Sequence, residues 1–234
     1  MSVETIQAKL KKRSSKEKAK ILQRFFKTGP GEYGEGDIFL GVKVPELRLV
    51  AKEYIDISLK ECGRLLSSKI HEERMLALLI LIKNFTSGNE TAKERIYQFY
   101  MRKTKYINNW DLVDLSAPHI AGAYLINRSK KELHALAKSN NLWERRIAII
   151  STFKFIKSNQ FSETIKISKT LLADKEDLMH KAVGWMLREI GKRDLKTEEA
   201  FLKEHYKTMP RTMLRYAIEK FPEAKRQKYL KGKI

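Results

Sequence analysis

Apolar residues in this chain recur at spacings of three and four. "ERMLALLILIKNF", "ERRIAIISTFKFI" and "HKAVGWMLREIGK" each carry that period, and none of them alternates in steps of two. The expected fold class is therefore all-α. Prolines and glycines are sparse, yet polar breaks return at "TSGNE" (86–90), "NRSK" (127–130), "KSNNL" (138–142) and "ADKED" (173–177), which should separate helices of about ten to eighteen residues.

Overlaying these helices exposes a repeat. Arg74, Trp110, Arg146 and Ala182 lie 36 residues apart, and "EERMLAL", "NNWDLVD", "ERRIAII" and "HKAVGWM" surround them. A period near 40 with two helices per unit predicts a HEAT-like helix-pair superhelical solenoid, read as a single domain over residues 1–234. In such a stack the second helices line a concave face. Asp114 and Trp185, about one turn beyond the repeat positions, should face that hollow.

Charge suggests what the hollow receives. Forty-eight Lys and Arg against twenty-eight Asp and Glu leave a net +20, which favours a polyanion, nucleic acid first and an anionic membrane surface second. The longest apolar run, "MLALLILI" at 75–82, is far short of the roughly 20 residues that span a bilayer. Lysines interrupt the amino terminus where a signal peptide needs an apolar stretch, so a cytoplasmic protein is expected. Cys62 is the only cysteine, which excludes an intrachain disulfide. The five histidines show no metal-ligand spacing, and no metal is expected.

The segment "TGPGEYGEGDIFLGVKVPELR" at 28–48 breaks the pattern with five of the eleven glycines and two of the five prolines. It lacks the G-x-x-x-x-G-K-[ST] spacing of a phosphate loop, and Glu32, Glu35 and Asp37 would repel phosphate. It reads as an ordered connection from a helix near 15–27 to one starting at Pro45, positioning Lys43 and Arg48.

Four places carry candidate chemistry. Asn108 or Asn109 is a natural N-cap, with Trp110 and Asp111 in the first turn and Asp114 one turn later on the face of Trp110. The helix dipole accounts for Asp111. Asp114 reads either as a carboxylate on the basic face or as the partner of an arginine in a helix-to-helix salt bridge. Of Arg145 and Arg146, the repeat register turns Arg146 toward the hollow, where its guanidinium would hold a phosphate or simply sit at the surface. Trp185 is either core or a ligand platform, and Gly184 beside it leaves room for a group to approach.

These motifs, "FLGVKVPELR", "WDLVD", "ERRIAI" and "KAVGWMLRE", in this order and at these separations, resemble the AlkD-type DNA glycosylases, the HEAT-repeat family of DNA alkylation repair enzymes. The likeness runs from about residue 20 to about 220. It implies a superhelix whose basic concave face holds duplex DNA. It also implies hydrolysis of the N-glycosidic bond of cationic purines such as 3-methyladenine and 7-methylguanine, without flipping the base into a pocket. By motif, the catalytic carboxylate corresponds to Asp114, the flanking aromatics to Trp110 and Trp185, and the phosphate-holding arginine to Arg146. Lys154, Arg188 and Lys43 fall among the DNA-contacting positions. The chain departs from the pattern at Asn109, where better-known members have a second aromatic, and at Asp177 and Leu178, where they have an aromatic pair. Its glycine-rich loop is also longer.

The resulting expectation is a monomeric, monofunctional alkylpurine DNA glycosylase that needs no cofactor. A non-catalytic HEAT-repeat protein that binds nucleic acid is the alternative, and a solenoid that binds acidic proteins is a third reading.

Overall fold

Helices supply every regular element among the described residues, 2–234, of the computed structural model. The one β contact is an isolated bridge between Ile38 and Ile70. The chain packs as two compact units, one ending at Ser116 and the other beginning at Ala117. All-α is the fold class, as the periodicity predicts.

The first unit holds α1 (Val3–Lys12), α2 (Lys16–Phe25), α3 (Val44–Glu53), α4 (Leu59–Leu66), α5 (His71–Ser87), α6 (Glu90–Arg102) and α7 (Trp110–Ser116). The central helix is α5, apolar nearly all round, with Met75 to Leu81 buried. A helix of that kind must be covered on every side, and α3, α4, α6 and α7 all pack against it. Its neighbours start where short polar side chains accept the free N–H groups of a first turn. Ser15 caps α2, Asn89 caps α6, and Ser58 with Glu61 forms a capping box on α4. Cys62 lies buried on α4, and burial pushes its thiol up to about 12.

The second unit holds α8 (Ala123–Leu125), α9 (Lys131–Leu136), α10 (Leu142–Ser151), α11 (Phe153–Lys157), α12 (Ser162–Thr170), α13 (Asp177–Gly191), α14 (Leu195–His205), α15 (Arg211–Ala217) and α16 (Glu223–Leu230), preceded by a π turn at Pro118–Gly122. Here α13 is central, packing on α10, α14 and α15. Gly184 makes the α13–α15 approach possible. A Cβ there would stand 2.4 Å from the Met213 carbonyl oxygen and 2.6 Å from the Tyr216 Cβ. The glycine therefore serves helix packing, and the expectation that it clears space for a ligand beside Trp185 is corrected.

The polar breaks fall where expected, but several helices are shorter than ten residues. The apolar run from Glu144 onward divides at Thr152 into α10 and α11. There the Ser151 hydroxyl donates to the Ile147 carbonyl and the Thr152 hydroxyl to the Ile149 carbonyl, both at 2.6 Å. Hydroxyls that bond back onto the preceding turn bend a helix.

The glycine-rich connection is ordered by one buried side chain. Glu72, 2% exposed, accepts from the backbone N–H groups of Leu40, Gly41 and Val42 at 2.7 to 3.2 Å. Gly41 adopts φ 81°, and a Cβ on it would lie 2.3 Å from the Ser15 carbonyl oxygen. Glu32 and Glu35 accept from Gly29 and Gly31 N–H, so the loop's acids fold the loop. We predict that Glu72→Ala lowers unfolding stability by at least about 2 kcal/mol, since each buried N–H left without a partner costs about 1 to 3. Glu72→Gln, which keeps an acceptor, should lose clearly less in urea denaturation.

Candidate active site

Helix α7 begins at Asn109, whose side-chain carbonyl accepts from Trp110 N–H at 2.8 Å while its backbone carbonyl accepts from Val113 N–H. Asn109 is fully buried, and its Nδ2 donates to Asp37 at 3.3 Å. Leu112 and Val113 point into the core, whereas Trp110 and Asp114 are half-buried. Residues four apart share a helix face, so the incompletely covered face of α7 carries an indole and a carboxylate. Behind it, Tyr100 donates to Ser116 Oγ at 2.9 Å, and Ser116 in turn donates to the Leu112 carbonyl. Burial pushes the Tyr100 phenol above its ordinary range, and the charge of Asp114 adds to the effect.

Trp110 rests on aromatic side chains of the amino-terminal segment. Its ring stacks on Phe26 with centroids 5.3 Å apart and meets Phe25 edge-on at 6.0 Å. Phe26 in turn stacks on Phe39 at 5.0 Å. The indole is thereby held in place on one side.

Asp111 does more than favour the helix start, and that expectation is corrected. Its Oδ2 lies 2.8 Å from His71 Nε2. His71, 3% exposed, places its other ring nitrogen 3.1 Å from Asp37 Oδ2, which also accepts from Arg74 Nη2 at 2.7 Å. Burial by itself would lower the His71 pKa, but hydrogen bonds to Asp111 and Asp37 outweigh it and raise the imidazole above its ordinary value. For Asp37, burial would raise the carboxyl, and His71 and Arg74 bring it below its ordinary value. The cluster then holds two cations and two anions. It joins the glycine-rich loop, the start of α5 and the start of α7.

In the second unit, Trp185 is half-buried on α13, 5.6 Å from the Phe153 ring, with Nε1 donating to Glu189 at 3.3 Å. Arg188 forms an ion pair with Glu219, and Lys154 is half-buried on α11. Arg146 differs from expectation. It is 5% exposed and donates Nη1 to the Leu178 carbonyl at 2.6 Å, bracing the start of α13 from below the surface. Arg145 binds Asp174 at 2.6 Å. Lys43 is exposed at the head of α3 in the first unit.

Comparison with known proteins decides the family. A family model described as DNA alkylation repair enzyme matches residues 6–221. The chain belongs to that family. Three solved structures share its fold. A predicted DNA alkylation repair enzyme from Enterococcus faecalis superposes with a TM-score of 0.69 at 16% identity, covering 90% of this chain and 98% of that one. AlkD2 from Streptococcus mutans gives 0.55 at 20% identity, covering 88% and 98%. The smu.31 protein of Streptococcus mutans UA159 gives 0.54 at 22% identity, covering 76% and 92%. No curated protein matches the sequence. Membership of the family supports a role in the repair of alkylated DNA. No helix among the described residues is long and apolar enough to cross a membrane, and no group of acids, histidines and cysteine among them is arranged to hold a metal ion.

The buried cluster predicts a pH dependence. A group with a raised folded pKa stabilises fully below its unfolded value and loses that contribution as pH rises through the folded value. For His71 the loss begins above about pH 6.5, its ordinary value. Asp37 has the opposite sign. Its contribution is present above about pH 3.8 and is lost as pH falls through its lowered folded value. Stability measured against pH should therefore fall on the alkaline side more steeply in the native chain than in His71→Gln, while the two curves run parallel between pH 5 and 6.

Proposed function

We propose that this protein is a monofunctional DNA glycosylase that hydrolyses the N-glycosidic bond of cationic alkylated purines of the 3-methyladenine and 7-methylguanine type. The observation that carries this reading is the half-buried pair Trp110 and Asp114 on one face of α7, in a chain of the DNA alkylation repair family with a net charge of +20. A purine alkylated at N3 or N7 is already a cation and departs readily. The C1′–N9 electron pair leaves with the base, and positive charge builds on the deoxyribose. One carboxylate beside that sugar, Asp114, stabilises the developing oxocarbenium ion and orients the water that attacks C1′. Trp110, held against Phe26, offers a fixed π surface to the cation, an effect of about 1 to 2 kcal/mol when water is excluded. By motif, Trp185 is the second aromatic and Lys154 and Arg188 line the DNA groove; Lys43, positioned by the glycine-rich loop, is a further DNA-contacting side chain. The reading requires no cofactor.

The test is release of 7-methylguanine from duplex DNA. Asp114→Asn should leave folding and DNA affinity nearly unchanged while lowering the single-turnover rate about 100-fold or more, the scale of one lost electrostatic contact to a transition state. Asp56→Asn, an exposed acid outside α7, is the control. Asp111→Asn is unsuitable because it disturbs the His71 cluster. Base release at the spontaneous rate by a native chain that binds DNA normally would favour the non-catalytic nucleic-acid-binding reading.

Two of the basic residues that the resemblance assigns to DNA, Lys154 and Arg146, should separate in a second measurement. Lys154→Ala should flatten the slope of log K against log salt by about one unit, as expected for one lost phosphate contact. Arg146→Ala should instead lower the melting temperature, since it takes a donor from the part-buried Leu178 carbonyl. A slope change with Arg146→Ala and unchanged stability would return Arg146 to the phosphate-holding role.

A further inference from the structure

The first unit contains a cavity of about 520 Å³ that the proposed excision chemistry does not use. Its walls are almost entirely apolar, with Ile21, Phe25 and Phe26 on and just after α2, Phe39 of the loop and Val44 of α3 among them. That volume lies within the range of small-molecule sites. Three of its lining side chains are exposed, Ile21 at 60%, Phe25 at 60% and Val44 at 41%. A cluster of large apolar side chains around a concavity marks a binding surface.

The polar atoms of the lining restrict the occupant. Glu72 is saturated by three backbone N–H groups, and Asp111 and His71 bind each other. A ligand with polar edges would enter without partners for them, and a buried polar group left unpaired is costly. The interior therefore suits an apolar body. The two remaining polar residues, Lys18 and Lys43, are both exposed, and neither ammonium has an ion-pair partner among the described residues. Lys43 also stands at the positive end of α3.

We propose that this cavity binds an amphipathic carboxylate, with an acyl chain between the phenylalanine and aliphatic walls and its anionic head at Lys18 and Lys43. The inference does not rest on base excision, although it shares Lys43 with the proposed DNA surface. Because Phe25 and Phe26 form both the cavity wall and the surface under Trp110, occupancy should also change the indole fluorescence.

Titration calorimetry with monomeric dodecanoate tests it on the full chain. Saturable binding of one dodecanoate per chain is expected, with dodecyltrimethylammonium, which has the same tail and the opposite head, binding much more weakly. Lys18→Glu should weaken dodecanoate about fivefold, the scale of one exposed ion pair. Ile21→Glu should weaken it about tenfold through lost apolar contact. Ile21 is exposed, so circular dichroism should show native helicity, and Lys18→Glu carries the test if it does not. Equal affinity for the two head groups, or dodecanoate binding untouched by both substitutions, overturns the proposal. Binding to vesicles of anionic phospholipid without binding to monomeric dodecanoate also overturns it and makes the cavity a membrane-docking surface.

Discussion

Four side chains at the amino-terminal end of α5 hold the first unit's candidate chemistry in place. His71 and Arg74 supply two cations, Asp37 and Asp111 two anions, and Asp37, His71 and Arg74 are all under 10% exposed. Burying a charge is costly unless it is paired and hydrogen-bonded, and removing one member of such a set strands the rest. A protonated His71 satisfies this condition, since only the imidazolium donates from both ring nitrogens, one to each carboxylate. The cluster spans the loop through Asp37, α5 through His71 and Arg74, and α7 through Asp111. Glu72, next in sequence, ties down the rest of the loop through three backbone N–H groups. The start of α5 thus sets where α7 begins, and with it the positions of Trp110 and Asp114.

Much of the architecture could be read from local signals. A spacing of three and four gave the helices, and short polar residues marked their ends, because both effects act within a few residues of one another. Helix length was harder to read. Ser151 and Thr152 sit in an apolar run with unbroken helical period, yet their hydroxyls compete for the backbone and divide it. The 36-residue register turns Arg146 toward a hollow, whereas its side chain is buried. Arg74 and Arg146 are both buried, and each donates to a backbone carbonyl, Ser68 and Leu178 respectively. An arginine is expected at the surface by default, and nothing within a turn of either residue signals that a distant carbonyl will be its partner.

The candidate site divides along the same line. Trp110 and Asp114 were legible as a pair because their relation is a helix face, fixed by a spacing of four. Asp111 was assigned to the helix dipole because its actual partner lies forty residues away, and Asp37 farther still. Long-range pairing of charges leaves no period in a sequence. The aromatic support under Trp110 escaped notice for the same reason. Phe25, Phe26 and Phe39 come from α2 and its connection to α3, and nothing local relates them to residue 110.

The departures of this chain from the AlkD-type pattern are also better understood through long-range contacts. The resemblance leads one to expect an aromatic where this chain has Asn109, and a shorter glycine-rich loop. In the fold these two differences meet. The loop delivers Asp37 to accept from Asn109 Nδ2, and a Cβ on Gly34 would be in van der Waals contact with that nitrogen. Asn109 is fully buried, so an aromatic ring at this position would have to displace the loop and strip Asp37 of one donor. The loop and the asparagine therefore form one structural unit, joined by a buried hydrogen bond at the head of α7. The carboxylate of Asp114, one turn further along, lies outside that unit. Asn109 consequently sets what flanks Trp110 while the acid keeps its helix face.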